Sequence, residues 1–108
     1  MTLLAPALYA AMLKESLDTM KVTLSEYKIE MPASLPPGPT TFNVTNTGSK
    51  KHNLEIKGQG TDEKLDSDLK QGETGTMQID LKPGAYQALC PVGNHDHKGI
   101  KFEFTVTP

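Results

Sequence analysis

From Lys21 onward, apolar residues recur at every second position in short runs, and Pro, Gly or polar clusters cut each run from the next. A side-chain period of two puts alternate residues on opposite faces, so such runs form half-buried strands. TTFNVTN turns Phe42 and Val44 to one face. HNLEIK turns His52, Leu54 and Ile56 one way and Asn53, Glu55 and Lys57 the other. GETGTMQIDL places Met77, Ile79 and Leu81 in phase, AYQALC does so for Tyr86, Ala88 and Cys90, and the last run aligns Ile100, Phe102, Phe104 and Val106. In the first run Val22 and Leu24 share one parity while Tyr27, Ile29 and Met31 share the other, which predicts a bulge or bend near Ser25–Glu26. PASLPPGP interrupts the pattern, because Pro36, Pro37, Gly38 and Pro39 cannot all sit inside a sheet. The polar stretch from Gly58 to Gly72 reads as a loop region with a short helical turn around Glu63 to Leu69. About six short strands with turns between them predict an all-β sandwich or barrel.

A chain of 108 residues suits one small domain. Its start reads differently. Leu4, Leu8, Met12, Leu13, Leu17 and Met20 fall at or near steps of three and four, which predicts an amphipathic helix in residues 1–20, ahead of a β domain at 21–108. The same apolar, small-residue-rich start also reads as the remnant of an export or anchoring segment, which would allow membrane association. No apolar run approaches the length of a membrane span. The net charge is −2 and all eleven basic residues are Lys, so the Arg forks and basic stripe of nucleic-acid binders are missing. A single cysteine excludes an internal disulfide. Glu55, Glu63, Asp66 and Asp68 form no acid–base pair and read as a solvated face. Cys90 ends a strand, without the helical setting of a cysteine nucleophile, so no enzyme activity is expected.

The stretch CPVGNHDHKGI, residues 90–100, holds the one Cys and two of the three His. The strand phases point His52 and Cys90 inward, and His95 follows Cys90 in a C-x4-H spacing. Each residue alone has a bland reading: a satisfied core histidine, a small buried hydrophobe. Jointly they make two imidazoles and a thiolate, a trigonal donor set that with a weak axial ligand describes a blue-copper electron-transfer site. Zinc accepts the same donors.

On KHN at 51–53, PGAYQALC at 83–90, CPVGNH at 90–95 and KGI at 98–100, the chain resembles the cupredoxin family of small type 1 copper proteins over roughly residues 21–107. The resemblance implies a Greek-key β-sandwich with one copper ion at one end, held by His52, Cys90 and His95. It implies that Asn53 steadies the Cys loop, and that the protein transfers single electrons to redox protein partners through transient contacts. It also implies a periplasmic or otherwise extracytoplasmic location, with the edge of His95 as the electron port near Pro91 and Val92. The departure is Ile100, which stands where the family pattern has an axial Met and cannot coordinate. A dry apolar cap there predicts a raised reduction potential and is the preferred reading. Water, another side chain or the Lys51 carbonyl could instead take the fourth position, and an open, wet position would lower the potential and bind or react with a small exogenous ligand. An engineered axial variant of an electron carrier would carry the same sequence. His97 has no counterpart in the pattern and reads as an exposed histidine, with an auxiliary ligand as the alternative.

Overall fold

The computed structural model describes residues 19–26, 28–91 and 101–108. Among these residues nine strands form two sheets. The first sheet contains β1 (Thr19–Ser25), β2 (Lys28–Glu30), β4 (Gly38–Asn46) and β7 (Thr74–Leu81), in the order β2-β1-β4-β7. The second contains β3 (Ser34–Leu35), β5 (Glu55–Gly58), β6 (Thr61–Lys64), β8 (Gly84–Leu89) and β9 (Lys101–Val106), in the order β3-β9-β8-β5-β6. The chain changes sheet after β2, β3, β4, β6 and β7, and these crossings are the connections of a Greek-key sandwich. The predicted all-β class and sandwich architecture therefore hold. The expected N-terminal helix lies outside the described residues, apart from Thr19 and Met20, which already belong to β1 and pair with Thr41 and Phe42.

The period-two pattern is also the packing pattern. Val22, Leu24, Phe42, Val44, Leu54, Ile56, Ala88 and Val106 are buried at 1% exposure or less, and Ile79, Leu81, Tyr86, Cys90 and Phe104 join the same core. Tyr86 and Phe104 sit opposite each other on β8 and β9 with rings stacked at 5.3 Å. The Tyr86 hydroxyl accepts the Lys82 N–H at 2.9 Å, so the ring is buried without stranding its polar tip.

Three local expectations are corrected. No bulge forms at Ser25–Glu26. The parity switch there marks a tight antiparallel reversal, with Ser25 opposite Lys28 and Leu24 opposite Ile29. Two strands that meet at a two-residue connection each keep an inward set, so the run changes phase across the turn. The helical turn around Glu63 to Leu69 is absent. In its place β5 and β6 form a hairpin across Gln59 (φ 49°) and Gly60 (φ 81°), both left-handed as a type I′ turn requires. β6 reads as a loop because TDEK buries no side chain. It is the edge of its sheet, where charges discourage further strand pairing. Pro39 lies within β4, opposite Asp80 of β7. Among the described residues β1 joins on the other side only from Thr41, so Pro39 has one strand neighbour there.

Asn46 continues the inward phase of β4 and is fully buried, the largest such polar side chain among the described residues. Its amide nitrogen donates to Lys50 O at 2.7 Å and Leu69 O at 2.8 Å, and its oxygen accepts the Gly48 N–H at 2.8 Å. Its backbone accepts from Gly72 N at 2.7 Å and donates to Glu73 O at 3.0 Å. A single side chain thus pins the 46–50 turn to the 69–73 segment. Leu69 in turn exchanges two backbone hydrogen bonds with His52, at 3.0 and 2.7 Å.

Two predictions follow from these contacts. Asn46→Ala leaves the buried Gly48 N–H without its partner and removes the side-chain bonds to Lys50 O and Leu69 O, the latter keeping its bond from His52 N–H, and urea unfolding should show a loss of about 2 kcal/mol. An unchanged midpoint would show that water takes over those bonds. The second concerns Glu55, whose carboxyl is pushed up first by the hydrogen bond with Asp62, then by burial. A raised folded-state pKa gives a stability contribution that is complete below the unfolded carboxylate range and is lost as pH rises through the folded value. Asp62→Asn should therefore stabilise the protein at pH 7 by about 0.5 kcal/mol, the scale of a cross-strand charge pair, and flatten the fall in stability between pH 4 and 7.

Candidate metal centre

His52 lies on the segment between β4 and β5, and Cys90 immediately follows β8. The two strands they flank are neighbours: β5 pairs with β8, with Glu55 opposite Leu89. The register carries the approaching chain of β5 and the departing chain of β8 to the same end of the sandwich. His52 is 3% exposed and Cys90 4%, and Cys90 Sγ is 3.6 Å from His52 Nδ1.

The other ring nitrogen, Nε2, lies 3.4 Å from Glu26 Oε2. An ionised carboxylate only accepts, so in the neutral imidazole Nε2 is the nitrogen that carries the hydrogen and Nδ1 presents its lone pair to the sulfur. The Glu26 carboxylate also accepts the Lys50 N–H at 2.9 Å and the Ser49 hydroxyl at 3.4 Å. The Lys50 bond is the main reason its pKa lies below the usual carboxylate value; partial burial opposes it.

The Nδ1–Sγ distance tests whether this pair fits a metal. Bonds of about 2.0–2.1 Å to imidazole and about 2.3 Å to thiolate, joined at an angle of about 110°, reproduce a separation of 3.6 Å. The tautomer fits as well, because the nitrogen facing the sulfur is the unprotonated one. The same contact without a metal is a thiol hydrogen bond to imidazole, so the pair is stable in both conditions. The structure thus brings together two of the three donors expected from the sequence. His95, His97 and Ile100 lie outside the described residues, and among the described residues no third His, Cys, Asp or Glu completes the set.

The loop after Cys90 that Asn53 is expected to steady lies outside the described residues; the long-range contacts of Asn53 within them are to the 65–68 segment. Asn53 is buried, although the alternation of HNLEIK assigns it to the outer face, because β5 begins only at Glu55. Its side-chain oxygen accepts Leu54 N–H at 2.6 Å and Leu65 N–H at 3.1 Å, and its nitrogen donates to Asp68 at 3.0 Å and Leu65 O at 3.4 Å. Among the described residues it therefore braces 65–68, beside the bridge that carries His52. Sequence reasoning missed Glu26 and Asn46. Asn46 leaves a trace, as a polar residue on the inward phase of Thr40, Phe42 and Val44. Glu26 leaves none, since a turn glutamate looks like any solvated charge.

No family model and no curated protein matches this chain. Solved structures do. A Na-dithionite reduced auracyanin from the photosynthetic bacterium Roseiflexus castenholzii shares the fold at TM-score 0.69, with 20% identity over 84% of this chain and 98% of that one. Auracyanin B matches at TM-score 0.68, with 19% identity over 83% of this chain and 88% of its own. A multicopper oxidase matches at TM-score 0.61 and 14% identity, over 83% of this chain but only 44% of the oxidase. At these identities the likeness speaks for architecture, and it agrees with the two-sheet topology and with a Cys–His pair at one end of the sandwich: the chain has the cupredoxin fold.

Proposed function

We propose that this protein is a one-electron carrier that holds a single copper ion through His52 Nδ1, the Cys90 thiolate and His95. The observation that carries the reading is the buried Cys90–His52 donor pair at 3.6 Å, with the imidazole lone pair turned to the sulfur, at the end of a cupredoxin fold. The C-x4-H spacing supports His95 as the third donor. Copper bound there supplies a one-electron couple between two oxidation states, with two imidazoles and a thiolate as its trigonal ligands.

The residues around it do the rest. His52 and Cys90 are anchored through the backbone, His52 by its bridge to Leu69 and Cys90 by the end of β8. Neither needs to move when the charge at the site changes, which keeps the reorganisation cost of electron transfer low. The core side chains exclude water from the pair. Ile100 offers no donor, so an apolar cap is the arrangement the chain favours, with a potential above that of a capped and ligated site. Partners are redox proteins met through small, transient interfaces, with His95 as the port, and the site of action is extracytoplasmic. The likeness to auracyanins over nearly their whole length favours a carrier over an oxidase, whose own chain is much longer than the part matched.

Titration of the metal-free protein with Cu(II), followed by visible and electron paramagnetic resonance spectra, tests this. An intense thiolate-to-copper band should saturate at one equivalent and vanish in Cys90→Ser. His95→Ala should weaken binding and shift the band. Failure of the wild-type protein to develop the band would sink the copper reading. An azide-induced change in the spectrum would replace the closed cap at Ile100 with an open coordination position.

A further inference from the structure

We propose that Glu26 is a positioning residue for the metal centre: its carboxylate holds His52 in the tautomer and orientation that aim Nδ1 at Cys90, and Gly48 keeps the space in which it does so. The proposal rests on the copper-site reading and adds to it a residue that belongs to none of the donor positions.

The geometry is specific. Glu26 stands in the reversal between β1 and β2, far in sequence from His52, and the two meet because β1 and β4 run parallel and end at the same pole of the sandwich. Its Oε2 takes three donors from one short stretch of chain: Lys50 N–H at 2.9 Å, Ser49 Oγ at 3.4 Å and His52 Nε2 at 3.4 Å. The strongest of these, the Lys50 amide, comes from the backbone and orients the carboxylate independently of the histidine. The reversal itself is tied to the same stretch, since Thr47 N–H and its hydroxyl both donate to Leu24 O, at 2.8 and 3.2 Å.

Gly48 supplies an independent observation. A Cβ built on Gly48 would lie 2.5 Å from Glu26 Oε2 and 2.8 Å from its Cδ and Oε1. The clash falls on the end of a flexible side chain, so an alanine there would move the carboxylate rather than break the fold. The turn passes so close to Glu26 that only glycine leaves the carboxylate where His52 can reach it.

A carboxylate on the far nitrogen does two things for a ligand imidazole. It fixes which nitrogen is free to bind metal, and it makes that nitrogen more basic. A more basic imidazole with a negative charge behind it favours Cu(II) over Cu(I). Glu26 thus lowers the reduction potential, against the rise expected from an apolar cap at Ile100. The wild-type potential should reflect both influences.

The test combines two variants, Glu26→Gln and Gly48→Ala, with Ser49→Ala as a control that removes an exposed donor to Glu26 and leaves His52 untouched. In metal-free protein, nitrogen chemical shifts should show His52 protonated on Nε2 in the wild type and in Ser49→Ala. Both test variants should show a mixture of tautomers while their circular dichroism stays that of the wild type. With copper, both should lose Cu(II) affinity by about 10–100-fold. Cu(I) affinity should change less, so the potential should rise by about 59 mV for each tenfold difference between the two losses. Protonation of His52 on Nδ1 in the wild type would overturn the assignment. So would an unchanged tautomer, affinity and potential in both variants of a copper-binding wild type, and that outcome would leave the copper reading standing. A wild type that binds no copper would overturn the copper reading and, with it, the service of Glu26 to a metal.

Discussion

A buried amide cannot be left without hydrogen-bond partners in an apolar core, and in this sandwich that requirement organises the end where His52 and Cys90 meet. Asn46 has no exposure, yet every strong donor and acceptor of its side chain is used, on Lys50, Leu69 and Gly48. The bonds hold three otherwise irregular stretches in one arrangement: the turn after β4, the segment around Leu69 and the approach to β5. A half-satisfied polar group would cost more than an apolar substitute, whereas a fully satisfied one selects a single geometry. His52 inherits that geometry through its bridge to Leu69.

The two donors reach each other by different routes. Cys90 is delivered by strand phase alone, two residues beyond Ala88 on the inward face of β8. His52 sits outside regular structure and depends on Asn46, on Leu69 and on the neighbouring Asn53, which braces Leu65 and Asp68. A rigid strand end and a loop stiffened by satisfied polar groups thus contribute one donor each. Glu26 adds a third element, a carboxylate on the solvent side of the imidazole, which sets the direction of the ring's hydrogen.

Much of this was legible in the residues, because period two is a local property. The inward sets of β1, β4, β7, β8 and β9 follow from alternation, and the core contains them. The misreadings share a cause. A parity switch is the same string of letters whether the strand bulges or folds back, and only the pairing of Leu24 with Ile29 decides for the hairpin. TDEK carries no apolar signal, because an edge strand needs no buried side chain to pair. Asn53 was assigned outward by an alternation that does not yet apply before β5 starts.

The all-β class, most of the inward faces and the inward direction of His52 and Cys90 could be read from the residues, since strand phase and side-chain chemistry are both written residue by residue. How far apart those two side chains stand, which ring nitrogen faces the sulfur and which group faces the other came from the packing of the sheets. Those depend on contacts between segments far apart in the chain: Glu26 with His52, Asn46 with Leu69, Glu55 with Leu89 across the β5–β8 ladder. Long-range proximity is set by how sheets stack and strands register, and no local pattern encodes it.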